Sequence, residues 1–137
     1  MGRMIGTPRR SRYRWILAAA ALVAAAAHVP VIAPHLEQAA YMGVLFIVLT
    51  AACLTLTGTA LVQDSSRVYA LATLTCGLAL VGYAATRLVA FPMLAEDVGN
   101  WLEPLGIVAS CAEAVVVVSA VLALRPQRTD PPLIATA

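Results

Sequence analysis

The sequence predicts an all-α fold, a four-helix transmembrane bundle with both termini in the cytoplasm, and its composition and hydropathy are the main support. Of 137 residues, 61% are hydrophobic and 12% are charged, which excludes an ordinary soluble domain. A membrane span needs roughly 20 apolar residues. Four windows qualify: residues 15–33, 41–62, 68–91 and 105–124. Because the connections are too short to fold alone, we predict a single transmembrane domain, residues 1–137, with short cytoplasmic tails.

The distribution of arginine predicts the orientation, because short cytoplasmic flanks of membrane proteins carry an excess of basic residues. Arginine clusters before the first span, between the second and third, and after the fourth: Arg3, Arg9, Arg10, Arg12, Arg14, Arg67, Arg125 and Arg128. The other two connections, around Glu37 and over residues 92–104, carry acids and no Lys or Arg. We therefore expect a multi-pass protein of the cell membrane. The net charge of +2 reflects this asymmetry, so no nucleic-acid partner is predicted.

The first span also has features of a secretory signal peptide, since a basic flank precedes the run ILAAAALVAAAA, which ends in the small triplet Ala25–Ala27. Cleavage there would leave His28 as the first residue. The apolar pattern continues past Val31, so we expect an uncleaved helix. Its alanines favour close packing against other helices, whereas Pro30 and Pro34 predict a kink or an early end.

The remaining spans are expected to carry mainly structural polar groups. Hydroxyls inside a helix usually bond to their own backbone, and those of the second span are Thr50, Thr55, Thr57 and Thr59. The third helix is expected to have its N-cap at Asp64, Ser65 or Ser66. Aromatic residues anchor spans at the membrane interface, and the candidates are Trp15, Tyr41 and Trp101.

Charged residues inside apolar spans are the strongest functional signal, because each needs a partner, a water-filled cavity or a ligand. Arg87 lies near the end of the third span, and Glu113 lies roughly 13 Å into the fourth. The acids available to Arg87 are Asp97, Glu103 and Glu113; snorkelling to the headgroups is the alternative. Glu113 is expected to be protonated, paired with His28 or Arg87, or bound to a ligand. Glu103 also precedes a helix start, where an acid interacts favourably with the helix dipole.

His28, His35 and Glu37 are candidate ligands for a metal ion, since imidazole and carboxylate groups bind zinc or copper. Their spacing matches no standard metal motif. The alternative is structural, with each histidine capping or bonding a neighbouring helix. Because both histidines lie on one helix, bis-His ligation of a haem would require a homodimer.

The sequence contains no catalytic motif, and its cysteines do not suggest one. Cys53, Cys76 and Cys111 fall in separate spans without a CxxC pair, so we expect small buried apolar residues and no thiol oxidoreductase. Phosphate-binding loops, nucleophile elbows and HExxH signatures are absent as well. We therefore do not predict an enzyme.

Two stretches, HVPVIAPHLEQAAYMGVLF and EDVGNWLEPLG, resemble uncharacterised small four-span integral membrane proteins of bacteria. The resemblance covers most of the chain and implies a four-helix membrane fold. That family has no known activity or catalytic residues to carry over, so the resemblance implies no function.

Two functions are consistent with these patterns. The first, which the sequence favours, is a structural, assembly or accessory subunit of a membrane complex. The alternative is a binding bundle with an outward-facing polar pocket for a metal ion, a haem or quinone headgroup, or a proton. The pocket would be lined by His28, His35, Glu37, Arg87, Asp97, Glu103 and Glu113. Expected partners are the lipid bilayer and other membrane-protein subunits or a second copy of the chain.

Overall fold

In the computed structural model, which describes residues 11–126, the chain forms four long helices. They are α1 (Tyr13–Gln38), α2 (Ala40–Val62), α3 (Ser66–Leu88) and α4 (Pro104–Leu124), with a 3-10 turn (Ala95–Asp97) before the last. All four are long and apolar enough to cross a membrane. The prediction of an all-α fold with four span-like helices is thus confirmed. Arg3, Arg9, Arg10 and Arg128, which contributed to the predicted orientation, lie outside the described residues.

α1 continues through Pro30 and Pro34 to Gln38, so the predicted early end near residue 33 is wrong. Inside a membrane, neighbouring helices and local adjustments compensate for the backbone hydrogen bonds that proline removes. α1 packs against both α2 and α4, and it makes the most extensive contacts of the four helices. This packing holds the C-terminal half of α1 in a helical conformation despite the two prolines.

α3 ends at Leu88, three residues before the predicted boundary. Val89 already has extended backbone angles, with φ −128° and ψ 135°. The carbonyl of Arg87 accepts a hydrogen bond from the Gly99 amide at 2.9 Å, and Gly99 has φ +79°, a conformation that favours glycine. The connection to α4 therefore folds back onto the end of α3, beside Arg87.

The helices pack unevenly around α1 and α4. α1 packs against α2 and α4, and α3 packs against α4, whereas α2 and α3 contact each other little. Ala21 and Ala24 of α1 have no exposed surface, so the expectation that alanine allows close packing of this helix is confirmed. The weak contact between α2 and α3 leaves a gap between those two helices.

The bundle has two ends, which differ in their connections. At the loop end, α1 passes into α2 through Ala39 alone, and residues 89–103 join α3 to α4. At the opposite end, Asp64 accepts hydrogen bonds from the Ser11 amide at 2.6 Å and the Tyr69 hydroxyl at 2.5 Å. Asp64 therefore ties the start of α1 to the start of α3.

The predicted local hydrogen bonds also form. Ser65, one of the three candidate N-caps of α3, accepts a hydrogen bond from the Val68 amide at 3.5 Å. Hydroxyls of α2 donate to carbonyl oxygens four residues earlier; they belong to Thr50, Thr55, Thr57 and Thr59. These groups are satisfied within their own helix and need no ligand.

Gly43 marks a close approach of α1 to α2, and its substitution is a test of the packing. A Cβ at this position would lie 2.7 Å from the Leu36 backbone nitrogen and 2.5 Å from its Cγ. We expect Gly43→Ala to lower the free energy of unfolding by about 1–3 kcal/mol, because the helices must move apart. Thermal denaturation in detergent measures the change. Gly58→Ala in α2 is the matched control, since nothing lies within 4 Å of its Cβ; an equal loss in both variants would contradict the packing explanation.

Candidate functional site

A cleft of about 630 Å³ lies between α2 and α3 in the half of the bundle nearer the loop end, with α1 and α4 as its floor. We call it the α2–α3 cleft. Ligand sites typically measure about 300–1,000 Å³. Leu45, Val48 and Leu78 on its rim are 56%, 59% and 62% exposed, so the cleft opens sideways. Its walls are mainly apolar, and its polar lining residues are His28, His35, Thr75, Tyr83, Thr86, Arg87, Asp97, Glu103, Ser110 and Glu113.

His28 and Glu113 form a buried pair at the floor of the cleft. The Nε2 atom of His28 lies 3.0 Å from Oε1 of Glu113, and the two side chains are 6% and 2% exposed. Along their helices, His28 lies roughly 15 Å and Glu113 roughly 13 Å from the loop end, so the two residues are at one depth. The sequence analysis gave His28 and Arg87 as possible partners of Glu113. In the structure, Glu113 pairs with His28.

The environment of this pair determines what it can do chemically. An imidazole and a carboxyl group at hydrogen-bonding distance hold a proton between them. In apolar surroundings, removing either group would leave the other buried without a hydrogen bond, which costs free energy of folding. Both groups also line the cleft. The pair can therefore accept a proton from, or donate one to, a molecule bound there.

Arg87 is buried beside the cleft at the end of α3. Its Nη1 atom lies 3.1 Å from Oδ1 of Asp97 and donates a hydrogen bond to the Asp97 carbonyl oxygen at 3.3 Å. The guanidinium carbon is 4.6 Å from the centre of the Tyr83 ring, a cation–π contact. Of its three candidate acids, Arg87 therefore pairs with Asp97, and with a side chain only 7% exposed it does not snorkel. Its buried Nε–H has no hydrogen-bond partner within residues 11–126.

Glu103 caps α4 instead of pairing with Arg87. Its carboxylate accepts hydrogen bonds from the amides of Leu105 at 3.1 Å and Gly106 at 2.5 Å, in agreement with the expected interaction at a helix start. Gly106 also lets the Tyr83 ring approach, since a Cβ there would lie 2.6 Å from Tyr83 Cε2. Helix capping thus accounts for Glu103 without a ligand.

His35 and Glu37 are placed differently from the metal prediction. His35 Nδ1 lies 2.7 Å from the Val31 carbonyl oxygen, and Glu37 is exposed and outside the cleft lining. Between residues 11 and 126 no three His, Cys, Asp or Glu side chains are placed to hold one metal ion. The geometry therefore gives no support to a metal site at His28, His35 and Glu37.

The three aromatic residues predicted to anchor the spans lie at the two ends of the bundle. At the loop end, the Tyr41 hydroxyl donates to the Pro92 carbonyl oxygen at 2.6 Å, and Trp101 contacts Tyr83 edge-on with ring centres 6.3 Å apart. Trp15 is 56% exposed at the opposite end. Anchoring of the spans at the membrane interface by Trp15, Tyr41 and Trp101 stays a prediction.

The three cysteines differ in burial. Cys53 of α2 and Cys76 of α3 have no exposed surface, so the expectation of small buried residues is confirmed for these two. The same expectation is wrong for Cys111 of α4, which is exposed.

Sequence reasoning also missed Phe46 and Ser110. The Phe46 ring centre lies 5.5 Å from that of His28 and 4.9 Å from that of His35, but nothing distinguishes it within an apolar run. Ser110 lies three residues before Glu113, so both occupy one face of α4. That spacing was the signal that would have identified Ser110.

Comparison with known proteins identifies no relative from which a function can be transferred. No protein-family model, no curated protein and no solved structure matches this chain. The function is therefore inferred from the residues of the α2–α3 cleft.

Proposed function

We propose that this protein binds a membrane quinone in the α2–α3 cleft, with the headgroup at Arg87 and the tail passing between α2 and α3 into the bilayer. The observation that supports this most directly is the unpartnered Nε–H of a buried arginine. A buried donor left unpaired costs about 1–3 kcal/mol. A ligand that supplies an acceptor at this position removes that cost.

The form of the cleft supports an amphiphilic ligand. Its walls are mainly apolar, its polar groups gather toward the floor and the loop end, and its rim is exposed between two span-like helices. A molecule with a polar head and an apolar tail can enter such a cleft from the bilayer without crossing water. A small polar solute would leave the apolar walls uncovered.

Charge favours a neutral headgroup over an anionic one. Asp97, Glu103 and Glu113 line the cleft together with a single arginine, Arg87. A phosphate or a fatty-acid carboxylate would add negative charge beside these three acids. A quinone carbonyl is uncharged and accepts hydrogen bonds, which matches the free donor of Arg87 and the hydroxyl of Ser110.

The buried His28–Glu113 pair supports a ligand that exchanges protons. Reducing a quinone to a quinol takes up two electrons from a reductant together with two protons, and groups that relay protons inside membranes are commonly His, Asp and Glu. The pair lies at the floor of the same cleft. Its role in this proposal is to hold a proton next to the headgroup.

Analysis of co-extracted lipids tests the proposal. We expect protein purified in mild detergent to carry about one quinone per chain, detected by solvent extraction and mass spectrometry. Ser119→Ala is the control, because Ser119 is buried in α4 outside the cleft lining and its loss should leave the quinone content unchanged. Purified protein that carries phospholipid but no quinone, and that binds no added quinone, would refute the proposal.

The same purification discriminates the assembly-subunit function, which stays a prediction. A structural subunit should co-purify with one membrane protein in fixed stoichiometry and carry no bound quinone. A quinone-binding protein keeps its ligand when purified alone. The assembly function therefore predicts a partner protein and no quinone in the purified sample, whereas the quinone-binding function predicts quinone without a partner protein.

We further propose that the loop end faces outward and that both termini are cytoplasmic in the cell membrane. The arginine distribution supports this orientation, and the loop end carries the exposed acid Glu96. With Cys111 replaced by alanine, we expect Ala95→Cys to react with a membrane-impermeant maleimide added to intact cells, and Arg67→Cys to react only after lysis. The reverse pattern of labelling would invert the topology.

A further inference from the structure

His28, Val31 and His35 lie on one face of α1 and line the α2–α3 cleft together. The two histidines are separated by roughly 10 Å along the helix. Both imidazoles pack against one side chain of α2, since the ring centre of Phe46 is 5.5 Å from that of His28 and 4.9 Å from that of His35. The two histidines are therefore successive titratable groups along one wall of the cleft.

His35 is placed to exchange protons with water at the loop end. It lies one turn before α1 ends at Gln38 and is half-buried, whereas His28 is buried. Nδ1 of His35 lies 2.7 Å from the Val31 carbonyl oxygen. A carbonyl oxygen only accepts hydrogen bonds, so Nδ1 carries the hydrogen and Nε2 is the ring nitrogen that can take up or release a proton.

Each of the other titratable side chains that line the cleft outside the buried pair has a partner of its own; they are Tyr83, Arg87, Asp97 and Glu103. Tyr83 donates to a backbone carbonyl oxygen, and Arg87 forms an ion pair with Asp97. Glu103 accepts hydrogen bonds from amides at the start of α4. The lining residues of α2 have no titratable side chain. Within the described lining, His35 is thus the group left to exchange protons with the His28–Glu113 pair.

The half of the bundle away from the loop end is closed by apolar packing. A buried cluster adjoins the pair and consists of Ala24, Ala25, Cys53 and Ala112. Farther from the loop end, a second buried cluster takes apolar side chains from all four helices, among them Leu17, Leu56, Ala72 and Val116. The buried hydroxyl of Ser119 lies roughly 9 Å farther along α4 than Glu113, too far for a hydrogen bond to the pair. The open side of the pair is therefore the cleft, toward the loop end.

We propose that His35 relays protons between the buried His28–Glu113 pair and water at the loop end, so that the cleft exchanges protons with one face of the membrane. The N–H bond at Nε2 of a protonated His35 breaks, a water molecule in the cleft takes the proton, and that water passes a proton to the carboxylate of Glu113. His35 then takes up another proton at the loop end, and release follows the reverse order. The relay itself needs no quinone; that it supplies protons to a quinone headgroup rests on the proposed function.

Exchange of the shared proton with water tests the relay in the absence of quinone. The chain has two histidines, so NMR of the full chain in detergent, with isotope-labelled histidine, resolves the ring N–H of His28. In His35→Phe, which keeps an aromatic ring beside Phe46, we expect this proton to exchange about 10²-fold more slowly, the lower end of what a positioned acid or base contributes. Added imidazole should restore the rate, because it replaces the lost ring nitrogens but not the lost packing.

Two further variants make the result specific. Glu37→Gln is the matched control, because Glu37 is exposed at the same end of α1 and lies outside the cleft lining, and its exchange rate should equal that of the unmodified protein. His35→Gln keeps a hydrogen-bond donor for the Val31 carbonyl oxygen but does not titrate, so it should exchange as slowly as His35→Phe.

The outcomes separate this inference from the proposed function. An unchanged exchange rate in His35→Phe and His35→Gln, or a slow rate that imidazole does not restore, overturns the relay. Protein that binds no quinone, but in which exchange slows without His35 and recovers with imidazole, refutes the proposed function and leaves the relay intact.

Discussion

Replacing Glu113 with leucine is expected to lower the free energy of unfolding by about 1–3 kcal/mol, because Nε2 of His28 would remain buried without a partner. Glu113→Gln should cost less, since the amide oxygen still pairs with the imidazole. Unfolding in detergent measures the difference between the two variants. Equal stability of the leucine variant and the unmodified protein would show that the His28–Glu113 contact is not structural.

Glu113→Gln also separates the structural role of this residue from its role in proton exchange. The variant should bind quinone but should not exchange protons through the pair, because an amide does not titrate near neutral pH. When bound quinone is reduced with dithionite in a stopped-flow instrument, we therefore expect quinol formation to slow by about 10²–10⁴-fold, the usual contribution of a positioned acid or base. Ser119→Ala, in the same helix, should react at the original rate. An unchanged rate in Glu113→Gln would remove Glu113 from the proton path.

Arg87→Lys is expected to reduce quinone affinity by about 10–100-fold, because a hydrogen bond to a charged group is worth about 1.5–3 kcal/mol. Lysine retains a positive charge for Asp97 but lacks the Nε–H that has no partner in this structure. Titration with a short-tailed quinone, followed by the melting temperature, measures the change. Arg67→Lys is the control for loss of an arginine, because Arg67 is exposed near the start of α3, at the opposite end of the bundle.

Asp97→Asn provides the complementary test at the same site. Its side chain no longer offers Oδ1 of a carboxylate to Arg87, but the backbone carbonyl that accepts from Nη1 is retained. We expect lower stability of the loop end with quinone affinity reduced less than in Arg87→Lys. Equal loss of affinity in both variants would show that the ion pair, and not the free donor, determines binding.

Much of the fold was predictable because the properties that define a span are local. Length and hydropathy along the chain identified four spans, and the predicted boundaries of α2 and α4 differ from the observed ones by a single residue at their starts. The exceptions, the continuation of α1 through Pro34 and the earlier end of α3, depend on packing against α2 and α4 and on the hydrogen bond between Gly99 and Arg87. The helix propensity of a local stretch of sequence does not predict these contacts, because they join residues from different elements.

The sequence by itself determined that Arg87 and Glu113 need partners, because a charged group in an apolar span is unstable alone. The sequence did not determine which of several acids pairs with Arg87, or whether Glu113 pairs with His28 or with Arg87. The helices are apolar on most sides, so the pattern does not show which face of each turns inward. Tertiary structure alone paired Glu113 with His28 and Arg87 with Asp97 and left α2 apart from α3, because these contacts depend on how the four helices are rotated against one another.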